Sequence, residues 1–447
     1  MKDEIKVTLI GAGSLAFTPS LLKGFSQSEL SERCKLTVAL MDIDPKVLDT
    51  MYGIGIRIKE GAEKRGKAGG LKIEKYGDRK AALEGADFVT VTISVGGAKA
   101  THLDVEIPKA KGILQSIGDT VGPAGIFRDF RHVPVMLDIA RDMEDTCPDA
   151  YLFNYTNPLT PLTRVVQRET KIKCYGLCSG PGAARPTLAR VFDVKPEDVE
   201  VYVAGINHLF WVKDFAIRGR AGYPMLKERE ARGEMPRFDP MHLQLYKVFG
   251  LLPSVGIGHH VAEFFPNLFM HKDAVEKYKI ALDLKGTIYD YEVRARFEKM
   301  LNDIISGKKA IDSLEVGEEA TAITLMESMI LGKGTLFPGI NVPNLGIISN
   351  LPPWGTLEVP AYIDTMGVHP LSLGPFPKGI AAVLADRLHQ YEVTIDVALT
   401  GDRSLALQAL LMDGYVRSID VAEALLDEIL VAEKDWLPDF WSKGARH

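Results

Sequence analysis

The sequence predicts an α/β protein, with a parallel sheet covered by helices in its N-terminal part and a mixed α+β C-terminal part. Apolar, β-rich runs alternate with stretches of helical periodicity up to about residue 200, and these runs are too continuously apolar to leave one face of a sheet in water. Beyond that point the pattern changes to a strand pair, long helices and a Gly/Pro-rich β region. We therefore predict two domains, residues 1–200 and 201–447.

The predicted strands of the first domain are separated by helical segments such as VPVMLDIARDMEDT. They are IKVTLI (5–10), LTVALMD (36–42), FVTVTIS (88–94), AYLFNYT (150–156) and KIKCYGL (171–177). In the second domain, VEVYVAGINHLFWVKDFAIRG predicts two antiparallel strands around a tight connection, and helices are expected within 222–250, 272–307 and 316–332. Ligands of a parallel sheet bind beyond the carboxyl ends of its strands, so the loops at those ends are the candidate sites.

The composition excludes several classes of protein. Hydrophobic residues make up 46% of the chain and charged residues 25%, as in globular proteins, and the net charge of -6 argues against nucleic-acid binding. The N-terminal MKDEIKVTLIGAG lacks the pattern of a secretory signal, and no apolar stretch is long enough to span a membrane. We expect a cytoplasmic protein whose four cysteines are thiols.

The first strand ends in GAGSLA, which is typical of a dinucleotide-binding Rossmann loop. Gly11 would make the tight turn, Gly13 would let the backbone approach a pyrophosphate, Ser14 belongs to the same loop, and Ala16 is the small residue where the helix meets the strand. Asp42 ends the second strand and could accept hydrogen bonds from ribose hydroxyls, which would favour NAD. The alternative is a tight turn beside an ordinary surface aspartate.

A cysteine and a histidine occupy two other loops. Cys178 lies in GLCSGPG at the end of the fifth strand, and His208 lies in GINHLFWV between two later strands. Thiolate and neutral imidazole are ligands for ions of the zinc, manganese or iron type, although a buried histidine can also be an ordinary core residue. Asn157 in NYTNP could bind a substrate hydroxyl or the nicotinamide, or be a turn residue.

These motifs resemble those of glycoside hydrolase family 4, an NAD-dependent and usually manganese-dependent group whose nucleotide domain is similar to lactate and malate dehydrogenases. The matching stretches are GAGS, DTVGPAGIFRDFRHVP, NYTNP, GLC, GINHLFW, VPNLGIISNLP and HPLSLGPFPKGIAAVLADR, in that order. The resemblance implies a lactate/malate dehydrogenase-type Rossmann domain and the cofactors NAD and Mn²⁺. It also implies that Cys178 and His208 hold the metal, that Asn157 touches the substrate, and that Gly11, Gly13 and Asp42 hold NAD.

The resemblance also implies a reaction and a substrate. Hydride moves from sugar C3 to NAD, C2 loses a proton, the C1 substituent is eliminated, and water adds before the hydride returns. The stretch QSIGDTVGPAGIFR resembles the α-galacturonidase branch. We therefore expect hydrolysis of a small non-phosphorylated uronide or hexoside, of α-galacturonidase or α-glucosidase type, by a homo-oligomer (dimer or tetramer).

Candidates for proton transfer are less clearly marked. His260 and Glu263 form an H-x-x-E pair, in which His260 would be the C2 base or a participant in the metal site and Glu263 would orient it. His259 is a spare candidate, and a helix-start histidine paired with a glutamate is the structural alternative. Ser179 stands where several relatives have His or Asp as the general acid, so either another acid acts, with Asp119 as the best local candidate, or the leaving group departs with less help.

Two further alternatives stay open. Arg128 and Arg131 could bind a uronate carboxylate bidentately, or belong to a solvated helix face. The chain as a whole could be an NAD-dependent dehydrogenase of the lactate/malate type acting on a sugar or 2-hydroxy acid, which needs no Cys/His metal pair. It could also be a dinucleotide sensor, which would leave that pair without a use.

Overall fold

The structure is a computed structural model, and it describes residues 2–67, 69–235, 237–258, 260–282, 284, 287, 289–317 and 320–443. Its strands are β1 (Glu4–Ile10), β2 (Lys35–Met41), β3 (Leu71–Tyr76), β4 (Phe88–Val91), β5 (Tyr151–Asn154), β6 (Lys173–Gly176), β7 (Val199–Ile206), β8 (Leu209–Ile217), β9 (Arg220–Ala221), β10 (Thr335–Pro343), β11 (Thr356–Asp364) and β12 (Gly367–Pro370). They form one 12-stranded sheet in the order β3-β2-β1-β4-β5-β6-β10-β11-β7-β8-β9, with β12 paired to β11.

The first six strands form the parallel part of the sheet. Their order, β3-β2-β1-β4-β5-β6, is that of a dinucleotide-binding Rossmann domain. Val7, Val38, Val89 and Leu152 at the centres of these strands are fully buried, as expected for strands that are covered on both faces. The predicted α/β fold is therefore confirmed.

Helices cover the sheet and continue to the C-terminus. In the first half they are α1 (Phe17–Gln27), α2 (Glu29–Arg33), α3 (Pro45–Glu63), α4 (Arg79–Leu83), α5 (Gly97–Ala110), α6 (Gly122–Thr146), α7 (Leu159–Glu169) and α8 (Gly180–Phe192). In the second half they are α9 (Gly222–Ala231), α10 (Pro240–Phe249), α11 (His260–Glu263), α12 (Pro266–Phe269), α13 (Lys272–Tyr278), α14 (Tyr291–Ile305), α15 (Thr321–Leu331), α16 (Lys378–Thr400), α17 (Arg403–Met412), α18 (Ile419–Ala432) and α19 (Asp439–Lys443). Over the described residues, no helix has both the length and the apolar character needed to cross a bilayer.

Local sequence explains where α3 begins. Asp44 caps the helix, because its Oδ1 accepts hydrogen bonds from Lys46 N at 2.9 Å and Val47 N at 3.4 Å. Pro45 takes the first helical position, where no backbone N–H is needed. The helix start therefore follows directly on the MDID segment, and Asp42 is left at the end of β2.

The second half of the chain extends the same sheet. β7 and β8 form the antiparallel pair that the sequence predicts, and β10 and β11 lie between β6 and β7. Asn341 of β10 is the partner of Gly176 of β6, so the sheet is continuous from one half of the chain to the other. Residue 200, the predicted domain boundary, lies within β7. The division into two domains stays a prediction.

β3 is a strand that the sequence analysis did not predict. Its sequence, LKIEKY, has three charged residues among six, and only Leu71 and Ile73 are buried. It pairs on one side with β2 and is an edge strand of the sheet. An edge strand tolerates polar side chains, so the continuous apolar run by which the other strands were predicted is absent here.

Candidate active site

The carboxyl ends of β1, β4, β5 and β6 meet at one edge of the sheet, and the glycine loop lies there. Gly11 has a φ of +81°, and a Cβ at this position would lie 2.7 Å from the carbonyl oxygen of Thr92. The N–H groups of Gly11 and Ala12 both donate to Met41 O at 3.0 Å, and Ser14 Oγ accepts from Phe17 N at 3.3 Å at the start of α1. The loop is therefore closed against neighbouring strand ends, as a Rossmann loop requires.

Asp42 is held against the same loop. Its Oδ2 accepts the Gly13 N–H at 2.7 Å, and its Oδ1 accepts the Asp44 N–H at 2.9 Å. A carboxylate has further lone pairs, so it can still accept from a ribose hydroxyl. The NAD-binding roles of Gly11, Gly13, Ser14 and Asp42 stay predictions.

We expect Gly13→Ala to weaken NAD binding at least about 10-fold, because the loop could no longer keep its geometry around a pyrophosphate. The new Cβ would lie 2.7 Å from Val47 Cγ1 and 2.8 Å from Asp42 Oδ2. Fluorescence titration with NAD measures the change. Gly77→Ala is the matched control, since no atom lies within 4 Å of a Cβ at Gly77. Equal affinities in the two variants would remove the role proposed for the loop.

Three potential metal ligands converge at this edge of the sheet. Asp119, His208 and His260 each offer a ligand atom, and these atoms lie within 4.8 Å of one another. The rings of His208 and His260 have centroids 4.1 Å apart. Carboxylate and imidazole together suit a divalent cation of the manganese or zinc type. The structure thus brings together three residues that the sequence analysis treated separately: His208 as a metal ligand, His260 as the C2 base or a participant in the metal site, and Asp119 as the acid.

His208 is held as a neutral imidazole. It lies in the turn between β7 and β8 with a φ of +64°, and burial, followed by the nearby His260, lowers its pKa to about 3. Thr120 Oγ1 lies 2.8 Å from His208 Nδ1 and 2.7 Å from Asp119 Oδ1. Because the carboxylate only accepts, the hydroxyl donates to it and receives the Nδ1–H of His208. The lone pair is then on Nε2, the nitrogen available to a metal.

Asp119 is held as a carboxylate. Burial opposes its ionisation, but His260, His208 and the Thr120 hydroxyl hold its pKa below its ordinary value. Its Oδ2 accepts the amide Nδ2–H of Asn157 at 3.0 Å. An ionised carboxylate suits a cation ligand better than a general acid, which must carry a proton. The structure therefore favours a metal-binding role for Asp119, and the identity of the acid stays open.

Asn157 and Cys178 lie at the ends of β5 and β6. The Asn157–Pro158 peptide is cis, and the Asn157 side chain points to Asp119. Cys178 Sγ accepts the Gly180 N–H at 3.3 Å, and burial, followed by the carboxyl of Glu358, raises the pKa of the thiol. Among the described residues, the cluster of ligand atoms within 4.8 Å does not include Cys178. Its assignment as a metal ligand stays a prediction.

Glu263 binds the backbone of the segment before Asp119. Its Oε1 accepts the N–H groups of Ser116, Ile117 and Gly118 at 3.0, 2.8 and 2.9 Å. Burial, and then Asp119, raise the pKa of Glu263 to about 8, although the three N–H donors oppose this shift. Glu263 thus positions the loop of Asp119, whereas the sequence analysis assigned it to orient His260. His259, the spare base, lies outside the described residues.

The two arginines of the GPAGIFRDFR segment differ in their surroundings. Arg131 is fully buried and makes a bidentate pair with Asp104, at 2.9 Å and 2.7 Å, and a second pair with Glu433. Its N–H donors are therefore used within the protein. This excludes the alternative that Arg131 lies on a solvated helix face, and it leaves no pair of N–H groups free to bind a substrate carboxylate. Arg128 is also buried, but it is bonded only to neutral groups.

Sequence reasoning missed Thr120. Its signal is its position in GDT, directly after the acidic candidate Asp119, because a hydroxyl beside a carboxylate can relay a hydrogen bond to a third group. Its partner His208 is 88 residues away in the chain. Only the fold brings the two side chains together.

Two family models match the chain. Residues 6–194 match the model described as Family 4 glycosyl hydrolase, and residues 203–416 match the Family 4 glycosyl hydrolase C-terminal domain. Between them they include the glycine loop and the Asp119, His208 and His260 cluster. The match therefore extends over both halves of the sheet.

Individual proteins give the same result. An alpha-galactosidase of Bacillus subtilis (strain 168) is 32% identical over 97% of this chain and 99% of its own. An alpha-galacturonidase of the same organism is 32% identical over 94% of this chain and 95% of its own. The fold is similar to that of a 6-phospho-alpha-glucosidase from gut microorganisms in complex with NAD and Mn²⁺, with a TM-score of 0.80 and 20% identity over 97% of this chain and 99% of that one. The chain belongs to family 4 of the glycosyl hydrolases.

Proposed function

We propose that the protein hydrolyses a small non-phosphorylated α-uronide or α-hexoside with NAD and Mn²⁺ as cofactors. The observation that carries this proposal is the cluster of Asp119, His208 and His260 at the sheet edge that also bears the glycine loop. The alpha-galactosidase and alpha-galacturonidase activities of the two similar Bacillus subtilis proteins support the substrate class. Cytoplasmic location and assembly as a homodimer or homotetramer belong to the same proposal.

The donors of the site fit a divalent cation. His208 and Asp119 would hold it through an imidazole nitrogen and a carboxylate oxygen, with Cys178 as the further ligand that the family resemblance implies. NAD when bound accepts a hydride, and the cation stabilises negative charge on the sugar oxygens. The chain's own residues have to orient the sugar and move its protons.

Each of these residues has a defined task in the proposal. The Thr120 hydroxyl holds His208 neutral and aligned, as the hydrogen bonds at 2.7 and 2.8 Å support. Asn157 offers its amide to Asp119 and to sugar hydroxyls. His260 lies beside His208, and we assign it to removal of the C2 proton. Glu263 holds the backbone of the Asp119 loop in place by accepting its N–H groups.

Hydrolysis, rather than net oxidation, follows from family membership. A dehydrogenase of the lactate/malate type would release a ketone and accumulate NADH. A glycosidase of this kind returns the hydride, so NAD acts in catalytic amounts.

The test is incubation of the protein in deuterated water with aryl α-galacturonide, α-galactoside and α-glucoside, with and without NAD, Mn²⁺ and a thiol reductant. We expect release of the phenol only when both cofactors are present, and deuterium at C2 of the sugar by NMR. The reductant protects the Cys178 thiol from oxidation. Stoichiometric NADH with an intact glycosidic bond would instead establish the dehydrogenase.

A further inference from the structure

Arg128 is a buried cation beside the candidate site that forms no ion pair with a carboxylate among the described residues. It lies on α6, and only 2% of its surface is exposed. Its Nε donates to the carbonyl oxygen of Asn157 at 2.9 Å, its Nη1 donates to Thr101 Oγ1 at 3.0 Å, and its guanidinium lies 5.2 Å from the centroid of the Tyr289 ring. All three partners are uncharged. Within the part of the chain that the structure describes, Arg128 forms no ion pair within 4.0 Å, and its Nη2 donates to no acceptor.

Arg131, three residues further along α6, illustrates how this fold otherwise satisfies a buried arginine. Asp104 takes two of its donors and Glu433 a third. An isolated buried charge is costly unless it is paired, so the contrast between neighbouring arginines needs a physical reason. A ligand that carries the missing negative charge supplies one.

The acidic groups closest to Arg128 do not provide this charge. Asp119 already accepts hydrogen bonds from Thr120 and Asn157, and it belongs to the cluster that would hold a cation. Burial raises the pKa of Asp129 well above its ordinary value, and its buried Oδ1 has no hydrogen-bond partner among the described residues. Within the described residues, neither carboxyl group is therefore paired directly with the guanidinium.

We propose that Arg128 binds the carboxylate of a uronic acid, and that it thereby makes the site selective for uronides over neutral hexosides. This inference rests on the proposed function. Arg128 holds the backbone of Asn157, and the Asn157 amide holds Asp119, so an anion on the free Nη2 lies beside the cluster that would bind the sugar hydroxyls. A charged guanidinium with unused N–H groups on both Nη atoms is a preferred partner of a carboxylate.

The test compares binding of free sugars by calorimetry in the presence of NAD and Mn²⁺. Wild-type protein is expected to bind galacturonate at least about 30-fold more tightly than galactose, because a charge-assisted hydrogen bond is formed. Arg128→Gln should abolish this preference. Arg128→Lys keeps the charge without the planar fork and should retain only part of it. Glucuronate and glucose, measured in the same way, show whether the preference follows the carboxylate or the sugar epimer.

Arg190→Gln is the matched control, because Arg190 is an exposed arginine on α8, and it should leave the preference unchanged. Equal affinity of wild-type protein for galacturonate and galactose would overturn the inference even if Arg128→Gln does not fold. Loss of NAD affinity in Arg128→Gln with the uronate preference retained would also overturn it, since the anion would then be the NAD pyrophosphate. Failure to hydrolyse any aryl glycoside would refute the proposed function, and the binding comparison would still decide the role of Arg128.

Discussion

His208→Asn is expected to lower kcat/KM for the aryl glycoside at least about 10³-fold and to abolish stabilisation of the protein by Mn²⁺. Asparagine tolerates the left-handed conformation that His208 adopts, with a φ of +64°, so the turn between β7 and β8 should persist. The substitution removes the imidazole ring that offers a ligand atom to the cluster with Asp119 and His260. Steady-state kinetics and thermal unfolding, each with and without Mn²⁺, measure the two effects.

His369→Asn is the matched control for this variant. His369 is half-exposed on β12, where its Nε2 lies 2.9 Å from Asp364 Oδ1. The His369→Asn variant should keep both the activity and the Mn²⁺-dependent rise in melting temperature. If His208→Asn binds Mn²⁺ with unchanged affinity, the assignment of His208 as a ligand is wrong.

Arg131→Met is expected to destabilise the protein by about 3–5 kcal/mol, because it leaves a buried carboxylate without its counter-charge. Burial, and then Asp104, raise the pKa of Glu433 to about 9, so at neutral pH the guanidinium chiefly balances Asp104. Asp104 is fully buried, so water cannot replace the interaction with Arg131 that the substitution removes. Urea unfolding at constant m value measures the change.

Arg403→Met tests whether burial is the cause. Arg403 also pairs with an aspartate, at 2.7 Å between its Nη1 and Asp427 Oδ1, but this pair is in contact with water, with 35% of the Arg403 side chain and 65% of the Asp427 side chain exposed. We expect this variant to lose no more than about 1 kcal/mol. A similar loss in both variants would mean that the buried triad of Arg131, Asp104 and Glu433 contributes no more than a surface ion pair.

The strands and the glycine loop could be predicted because their signals are local. A run such as IKVTLI is apolar at nearly every position, which a strand buried on both faces requires, and GAGS directly follows it. The edge strand β3 was missed because LKIEKY mixes charged and apolar residues. The rule that ligands bind at the carboxyl ends of parallel strands directed attention to the loops of Asn157 and Cys178, whose roles are still predictions.

The partners of the site residues could not be predicted in this way. Glu263 was expected to orient His260, but its carboxyl Oε1 accepts backbone N–H groups up to 147 residues away. Thr120 and Glu433 were not expected at all, and their partners are 88 and 302 residues distant. Side chains that are separated by many residues meet only where the packing of their helices and strands brings them together.

Sequence alone therefore determined the fold class, the family resemblance and the residue types available for chemistry, because backbone patterning and short motifs are encoded over a few consecutive residues. Tertiary structure decided which of those residues share a site, that Asp119 joins His208 and His260, and that Arg131 is engaged within the protein whereas Arg128 is not. The physical reason is that a buried charge or hydrogen-bonding group must find its partner within a few ångströms in space, and only the folded sheet and helices determine which group that is.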